Sequence, residues 1–255
     1  MSKRLRFIIS SLFLSAGFIW IQFIDDSTKF LAIAILVLLT GIFSFWSFYE
    51  GLAKNMTLLS LILPMLFTLG VGIFWFLLPV SIYTRIPIVI FYGLGIYILS
   101  STMNIYTVSS QKTIALLRAA HGVGFVLTLL TSFLLFDAIL SIRLNLLYSS
   151  FLVFVSSFLL FWQGMWSIEL EKEFDMKTFQ MALVSGLIVA ELSVLIFFWP
   201  VTVVVGSLFL TSGVYLLLGL GQAKIEDRLF PSVVREYLTV GLIVLIGMFF
   251  ATRWG

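Results

Sequence analysis

Apolar residues occupy most of the chain, in nine runs separated by short polar segments. We place these runs at about 7–24, 30–48, 57–78, 87–107, 114–140, 144–167, 178–198, 202–221 and 237–253. Each run is close to the roughly 20 residues that a helix needs to cross the hydrocarbon core. Helices are expected because an open sheet leaves backbone groups unpaired in lipid, and the runs lack the alternation of a barrel strand. The pattern predicts an all-α polytopic transmembrane helix bundle of about nine helices, with residues 1–255 as a single transmembrane domain.

The composition indicates a lipid environment and excludes several kinds of functional site. Hydrophobic residues make up 61% of the chain and charged residues 11%, whereas a soluble domain carries about 25% charged residues. The absence of cysteine excludes disulfides and thiolate sites, and a single histidine excludes the usual zinc or haem ligand sets. The acidic loop from Glu169 to Asp175 is interleaved with lysine, and we interpret it as a solvated cap. We therefore expect no cofactor, no metal site and no assignable catalytic residue.

The distribution of Lys and Arg predicts the orientation of the chain. With the N-terminus inside, eleven basic residues lie inside and four outside, which accounts for all fifteen. The inside residues are Lys3, Arg4, Arg6, Lys54, Lys112, Arg118, Lys172, Lys177, Lys224, Arg228 and Arg235, and the outside residues are Lys29, Arg85, Arg143 and Arg253. This positive-inside bias predicts a multi-pass protein of the cytoplasmic (inner) membrane with its C-terminus outside. The net charge of +3 then faces anionic lipid rather than nucleic acid.

Short similar segments recur in the two halves of the chain. The matched pairs are Gly95–Leu99 with Gly213–Leu217, Ile73–Pro79 with Ile196–Pro200, Phe45–Glu50 with Phe161–Glu169, and Asp25 with Asp137. Their order is the same in both halves, and four helices is an even number. One interpretation is a parallel 4+4 internal repeat, residues 1–110 and 111–222, followed by a last helix at 237–253. The other is chance, because aromatic-proline endings are common at membrane interfaces.

The segment from Gln222 to Glu236 mixes basic and apolar residues around Pro231. Two interpretations stay open at this point. It lies along the inner headgroups as a short amphipathic segment, or it is a solvated connector.

Five residues form the candidate polar interior, namely Glu191, His121, Arg118, Gln163 and Asp137. Helical spacing in runs five and six places Arg118 and His121 at the inner ends, where we expect them near Gln163 and Ser167. A polar track of this kind lines a cavity or an ion path. The alternative is that these side chains only join helices by hydrogen bonds, with Arg118 reaching the headgroups.

Glu191 is the most informative of these residues because an ionisable side chain inside a spanning segment is costly. It directly follows Ala190, the last of three small residues at four-residue spacing (Ala182, Gly186 and Ala190). Such a ladder lets another helix approach closely. We expect the Glu191 side chain to point into the interior, within reach of a hydroxyl or a basic group. It then serves as a proton or cation site, or it makes one structural hydrogen bond.

The last hundred or so residues contain several short motifs, namely Trp162–Trp166, Glu191-Leu192, Phe198–Pro200, Arg235–Tyr237 and Thr252–Trp254. With these motifs the chain resembles an uncharacterised family of polytopic integral membrane proteins from small-genome bacteria, defined only as a domain of unknown function. The resemblance implies eight or nine helices and a cytoplasmic-membrane location. It implies no activity, so no residue role is transferred.

Two classes of function fit these features. The first is a small carrier, or an integral subunit or scaffold of a membrane complex, whose partners are the lipid bilayer and other membrane subunits or further copies of the chain. The alternative is an intramembrane lipid-modifying enzyme that uses Glu191 or His121 as acid or base. We favour the first class because no second convergent catalytic group is visible, and we expect no nucleic-acid partner.

Overall fold

The computed structural model describes residues 2–21, 23–24, 28–52, 56–77, 82–110, 115–171 and 173–252. For Met56 and residues 82–84 it describes the backbone alone. Several residues used in the sequence analysis lie outside this part of the chain, namely Asp25, Lys54, Pro79, Lys112, Lys172 and Arg253.

Nine helices within the described residues are long and apolar enough to cross a membrane. They are α1 (Lys3–Ile21), α2 (Lys29–Phe48), α3 (Ile62–Phe76, preceded by a 3-10 turn at Met56–Leu61), α4 (Ile82–Ser109), α5 (Leu117–Ser141), α6 (Leu146–Glu169), α7 (Met176–Phe198), α8 (Val203–Ile225) and α9 (Pro231–Ala251). The predicted all-α polytopic bundle is therefore confirmed.

The last loop and the last helix differ from the prediction. Helix α8 continues to Ile225 and α9 already begins at Pro231, so the connector is only residues 226–230 and α9 starts six residues before the predicted 237. Proline is well suited to the first position of a helix, where its missing N–H is not needed. Gln222 to Glu236 is thus neither a surface-lying segment nor one long connector, because both of its ends are helical.

The chain divides into two units, and unit 1 comprises Met1–Leu127 with Leu170–Phe174. In unit 1, α1 packs against α2 and α4, and α3 packs against α2 and α4. Three fully buried rings meet at its centre. The ring of Tyr92 stacks on Phe18, with centroids 4.8 Å apart, and lies parallel to Phe67 at 6.1 Å.

At one end of unit 1, charged side chains join α1 to the end of α2. Arg6 in the first turns of α1 contacts the Glu50 carboxylate at 2.8 Å, and Lys3 contacts it at 3.5 Å. The Arg6 guanidinium also lies 5.9 Å from the ring centre of Trp46. Since Glu50 lies two residues beyond the end of α2, these contacts fix α1 and α2 as an antiparallel pair.

Unit 2 comprises Thr128–Glu169 and Asp175–Gly255. Its closest helix pair is α6 with α7, and α8 packs against both of them and against α9. At Gly186 the space for a Cβ atom is limited by the Phe158 backbone, whose Cα would lie at 3.1 Å. The predicted role of Gly186 in close helix packing is confirmed, and α6 is the helix that approaches.

Helix α9 contacts the rest of unit 2 along one side only. Gly219 of α8 accommodates the ring of Tyr237, and Gly241 of α9 accommodates Leu216. At the far end, the indole Nε1 of Trp199 donates to the Thr252 hydroxyl at 2.7 Å. Along the described length of α9, Met248 alone is buried.

Candidate functional site: intramembrane carboxylates

The side chain of Glu191 is exposed on α7. No hydrogen bond or ion pair to it is found within the described part of the chain. The prediction that it points into the interior is therefore wrong. The physical reason is helix geometry, since successive side chains along an α-helix point about 100° apart around its axis. The buried face of α7 includes Ala182, Gly186 and Val189, and Ala190 already lies at its edge, so the next residue points outward.

Glu191 lies well within the span. It lies seven positions before Phe198, the last residue of α7, which corresponds to a depth of about 10 Å below the helix end. Its exposed neighbours on the same face are Val184, Ile188 and Leu195, followed by Phe198 at the end. From Thr178 to Ala223 the sequence contains no other charged residue. From Val184 to Phe198 the exposed face is thus apolar except for one carboxylate.

Asp137 is the carboxylate that a spanning helix does bury. It lies on α5 with 5% of its surface exposed, and the fully buried Ser207 of α8 donates its hydroxyl to Oδ1 at 3.3 Å. The same hydroxyl also lies 3.0 Å from the carbonyls of Val203 and Val204. Asp137 is therefore held in the interior of unit 2 by a hydroxyl that has further acceptors on its own helix.

Arg118 and His121 lie at the start of α5, within unit 1. Arg118 is exposed and His121 is half-buried. The ring of His121 lies 5.8 Å from the ring of Tyr106, whose hydroxyl donates to the carbonyl of Ala120 at 2.8 Å. The predicted approach of Arg118 and His121 to Gln163 and Ser167 joins two separately described units, and it stays a prediction.

Gln163 is buried on α6, as the sequence suggested, and Ser167 donates to the carbonyl of Gly164 at 2.8 Å. A residue that the sequence analysis missed contacts the same carbonyl. The amide of Gln222 on α8 donates to Gly164 at 2.9 Å. Gln222 was assigned to the loop because the end of α8 was placed at residue 221, so its role became visible only with the longer helix.

Unit 1 contains a second polar cluster that was not predicted. The hydroxyl oxygens of Thr40 and Thr68 lie 3.1 Å apart, and that of Tyr92 lies 3.2 Å from Thr68. All three side chains are fully buried. No sequence signal marked the cluster because its members lie on α2, α3 and α4, far apart in the chain.

Asp175, at the end of the acidic loop, makes hydrogen bonds at the start of α7. Its carboxylate accepts from the backbone N–H of Lys177 at 3.1 Å and from the backbone N–H and hydroxyl of Thr178, both at 2.7 Å. The hydroxyl and backbone hydrogen bonds of Thr178 hold the pKa of Asp175 below its ordinary value. Asp175 therefore caps the N-terminus of α7.

Comparison with known proteins adds a family. Residues 12–251 match the family described as "Protein of unknown function (DUF5656)". The chain belongs to this family. The match reaches from α1 to the last residue of α9, well beyond the hundred residues on which the resemblance rested, and the expected uncharacterised family is confirmed. No curated protein matches this DUF5656 chain, and no solved structure does.

Proposed function

We propose that this DUF5656 protein is an integral subunit of a membrane assembly, in which other protein covers the exposed face of α7. The observation that carries the proposal is the Glu191 carboxylate on that face. A charged side chain facing lipid near the centre of a span costs roughly 2.5–3.5 kcal/mol on insertion scales. A protein neighbour that hydrogen-bonds to the carboxylate offsets much of this cost, whereas lipid tails offer no such group.

The packing inside unit 1 supports a subunit over a carrier. The buried hydroxyls of Thr40, Thr68 and Tyr92 satisfy one another, as described above. A hollow of about 220 Å³ lies between α4 and the start of α5. The Ser101 and Thr102 hydroxyls that line it donate to carbonyls of their own helix at 2.9 Å. A hollow whose serine and threonine hydroxyls are already satisfied by their own helix is a poor pathway for a polar substrate.

The proposal includes a parallel internal duplication. Three pairs of contacting helices support it, because α2–α3, α3–α4 and α2–α4 in unit 1 correspond to α6–α7, α7–α8 and α6–α8 in unit 2. The α1–α4 contact corresponds to the hydrogen bond between Asp137 and Ser207, which joins α5 to α8. The matched Gly95 and Gly213 also play one role, since their Cβ positions meet Phe67 of α3 and Leu192 of α7.

The cytoplasmic membrane is the proposed location, with the N-terminus inside. The support is the excess of Lys and Arg on that side, eleven of fifteen. In this orientation the Lys3–Arg6–Glu50 cluster lies on the cytoplasmic side.

Site-specific photocrosslinking in native membranes tests the subunit proposal. A photoreactive residue at Leu195, which is 58% exposed on the face of Glu191, should form adducts with protein. The matched control is the same residue at Val189, which is fully buried on the same helix and should give only intrachain products. If position 195 reacts with lipid alone and the extracted protein is monomeric, the proposal is wrong.

A second candidate function is a proton or cation carrier, favoured by the buried Asp137. In proteoliposomes, Asp137→Asn should then abolish ion flux while the fold persists, and a Ser212→Ala control should leave flux unchanged. The absence of any flux with the unmodified protein would remove this candidate. The lipid-modifying alternative through Glu191 or His121 stays a prediction, since these residues belong to separately described units.

A further inference from the structure

We infer that the partner covering the exposed face of α7 is a second copy of this chain, bound through a parallel α7–α7 contact in which the two Glu191 side chains hydrogen-bond to each other. This inference rests on the proposed function. It names the partner that the structure leaves open, and it follows from the spacing and chemistry of one helix face.

The exposed residues of α7 follow a seven-residue repeat. Val184, Ile188, Glu191, Leu195 and Phe198 are separated by four, three, four and three residues, and all five are exposed. A 3.5-residue period is the pattern by which two helices stay in contact as a left-handed pair, the usual geometry of membrane bundles. We call these five residues the α7 seam. Its length of two heptads spans most of the helix.

The chemistry of the seam favours a two-fold contact. Both copies insert in the same orientation, so a two-fold axis along the membrane normal brings each seam residue opposite itself. Glu191 then meets Glu191 of the second copy at the same depth, and one carboxyl donates a hydrogen bond to the other. A single polar residue within an apolar seam also sets the register of the pair.

The chain offers Glu191 little else at this depth. The Lys and Arg residues within the nine helices lie in the first two turns or the last turn of a helix, near the membrane surfaces. A second copy therefore satisfies the carboxylate through its own Glu191. A different membrane protein carrying a basic residue is the other occupant, and the experiment distinguishes the two.

Disulfide trapping tests the seam, and the absence of cysteine from the chain makes single-cysteine variants unambiguous. A disulfide needs Cα atoms about 4.4–6.8 Å apart. Under mild oxidation in membranes, Ile188→Cys and Leu195→Cys should form a product of twice the 28.8 kDa chain mass. Phe197→Cys is the matched control. It is 47% exposed on the same helix but lies about 140° around it from the seam, and it should stay monomeric.

The role of Glu191 is tested by energy transfer between labelled copies in vesicles. Glu191→Leu should weaken dimerisation about five- to thirtyfold, the factor for one hydrogen bond between membrane helices in model peptides. Glu191→Gln should keep most of the affinity, because two amides also hydrogen-bond to each other. Since position 191 is exposed, both variants should keep the monomer fold, which thermal unfolding checks.

The outcomes separate this inference from the proposed function. Equal crosslinking of Phe197→Cys and Leu195→Cys, or unchanged dimerisation of Glu191→Leu, would overturn the seam. Protein adducts at position 195 that contain only another polypeptide would overturn the second copy and keep the subunit proposal. A monomer that reacts only with lipid would overturn both.

Discussion

Asp137 and Glu191 are both carboxylates within spanning helices, but one side chain is buried and the other is exposed. Asp137 faces the interior of unit 2 and contacts the Ser207 hydroxyl, whereas Glu191 faces outward. The sequence marked both residues as polar within apolar runs, but it could not assign their directions. For Asp137, the decisive fact is a partner seventy residues away on α8. For Glu191, the small-residue ladder was correct, but a residue next to a ladder lies on another face.

The contact between Asp137 and Ser207 predicts a measurable coupling in stability. Ser207→Ala removes the hydroxyl that donates to the buried carboxylate, and a buried group that loses its partner typically costs about 1–3 kcal/mol. In a double-mutant cycle with Asp137→Leu, we expect a coupling energy of about 0.6 kcal/mol, the average for such pairs between membrane helices. Reversible unfolding in mixed micelles measures it. Ser212→Ala is the control because Ser212 donates to Phe209 of its own helix, and it should show no coupling to Asp137.

Glu50 predicts a pH dependence of stability. Partial burial raises its pKa, but the charges of Arg6 and Lys3 outweigh this effect and hold the pKa below its ordinary value of 4.5. Because the folded-state pKa is the lower one, the unfolded state takes up protons first as the pH falls. The stabilisation is therefore complete above about pH 4.5 and is lost as the pH falls through the folded-state pKa.

Thermal unfolding as a function of pH tests the role of Glu50. The unmodified protein should lose more stability than Glu50→Gln when the pH is lowered from neutral to below 4.5, and the difference should shrink in high salt because the pair is partly exposed. Parallel pH profiles for the two proteins would contradict the prediction.

At the scale of helices, run length and apolarity predicted how many helices there are and where most of them lie. The differences between prediction and structure lie at helix ends that carry charged residues or proline. Helix α1 begins at Lys3 and not at residue 7, because Lys and Arg in a first turn reach the headgroups while their backbone is already helical. The sequence pattern places Pro231 in the segment between the last two runs, but it begins α9. Apolar runs therefore predict the part of a helix within hydrocarbon better than its ends.

The close packing of α6 and α7 predicts a strong effect at Gly186. A Cβ atom there would lie 3.1 Å from the Cα and 3.2 Å from the backbone nitrogen of Phe158. Backbone atoms cannot move aside as a flexible side chain does, so Gly186→Ala should destabilise unit 2 by about 1–3 kcal/mol. Gly122→Ala is the control, since its Cβ position meets nothing within 4 Å, and alanine favours the helix there by about 1 kcal/mol. Equal stability of the two variants would refute the close contact.

At the scale of the whole chain, the number of helices connects the proposed duplication to the predicted topology. Four helices return the chain to the side on which it began, so two copies of a four-helix unit share one orientation. The α1–α4 contact and the Asp137–Ser207 hydrogen bond between α5 and α8 fit such a duplication. Helix α9 has no counterpart in that scheme, and it adds one crossing. A repeat followed by one helix therefore requires that the two chain ends lie on opposite sides of the membrane.

The final prediction is that the N-terminus is cytoplasmic and the C-terminus is outside. The described residues form nine helices that each suffice to cross the membrane, and an odd number of crossings separates the termini. The positive-inside bias then assigns the cytoplasmic side to the end that carries Lys3, Arg4 and Arg6. A reporter active only outside the cytoplasm should be active when fused after Gly255 and inactive when fused within the connector between α8 and α9. The control is a second reporter, active only in the cytoplasm, at the same two sites, which should give the opposite result. Cytoplasmic activity after Gly255 would mean an even number of crossings, and the exposed α9, with Met248 as its buried residue, would then be the helix that fails to span.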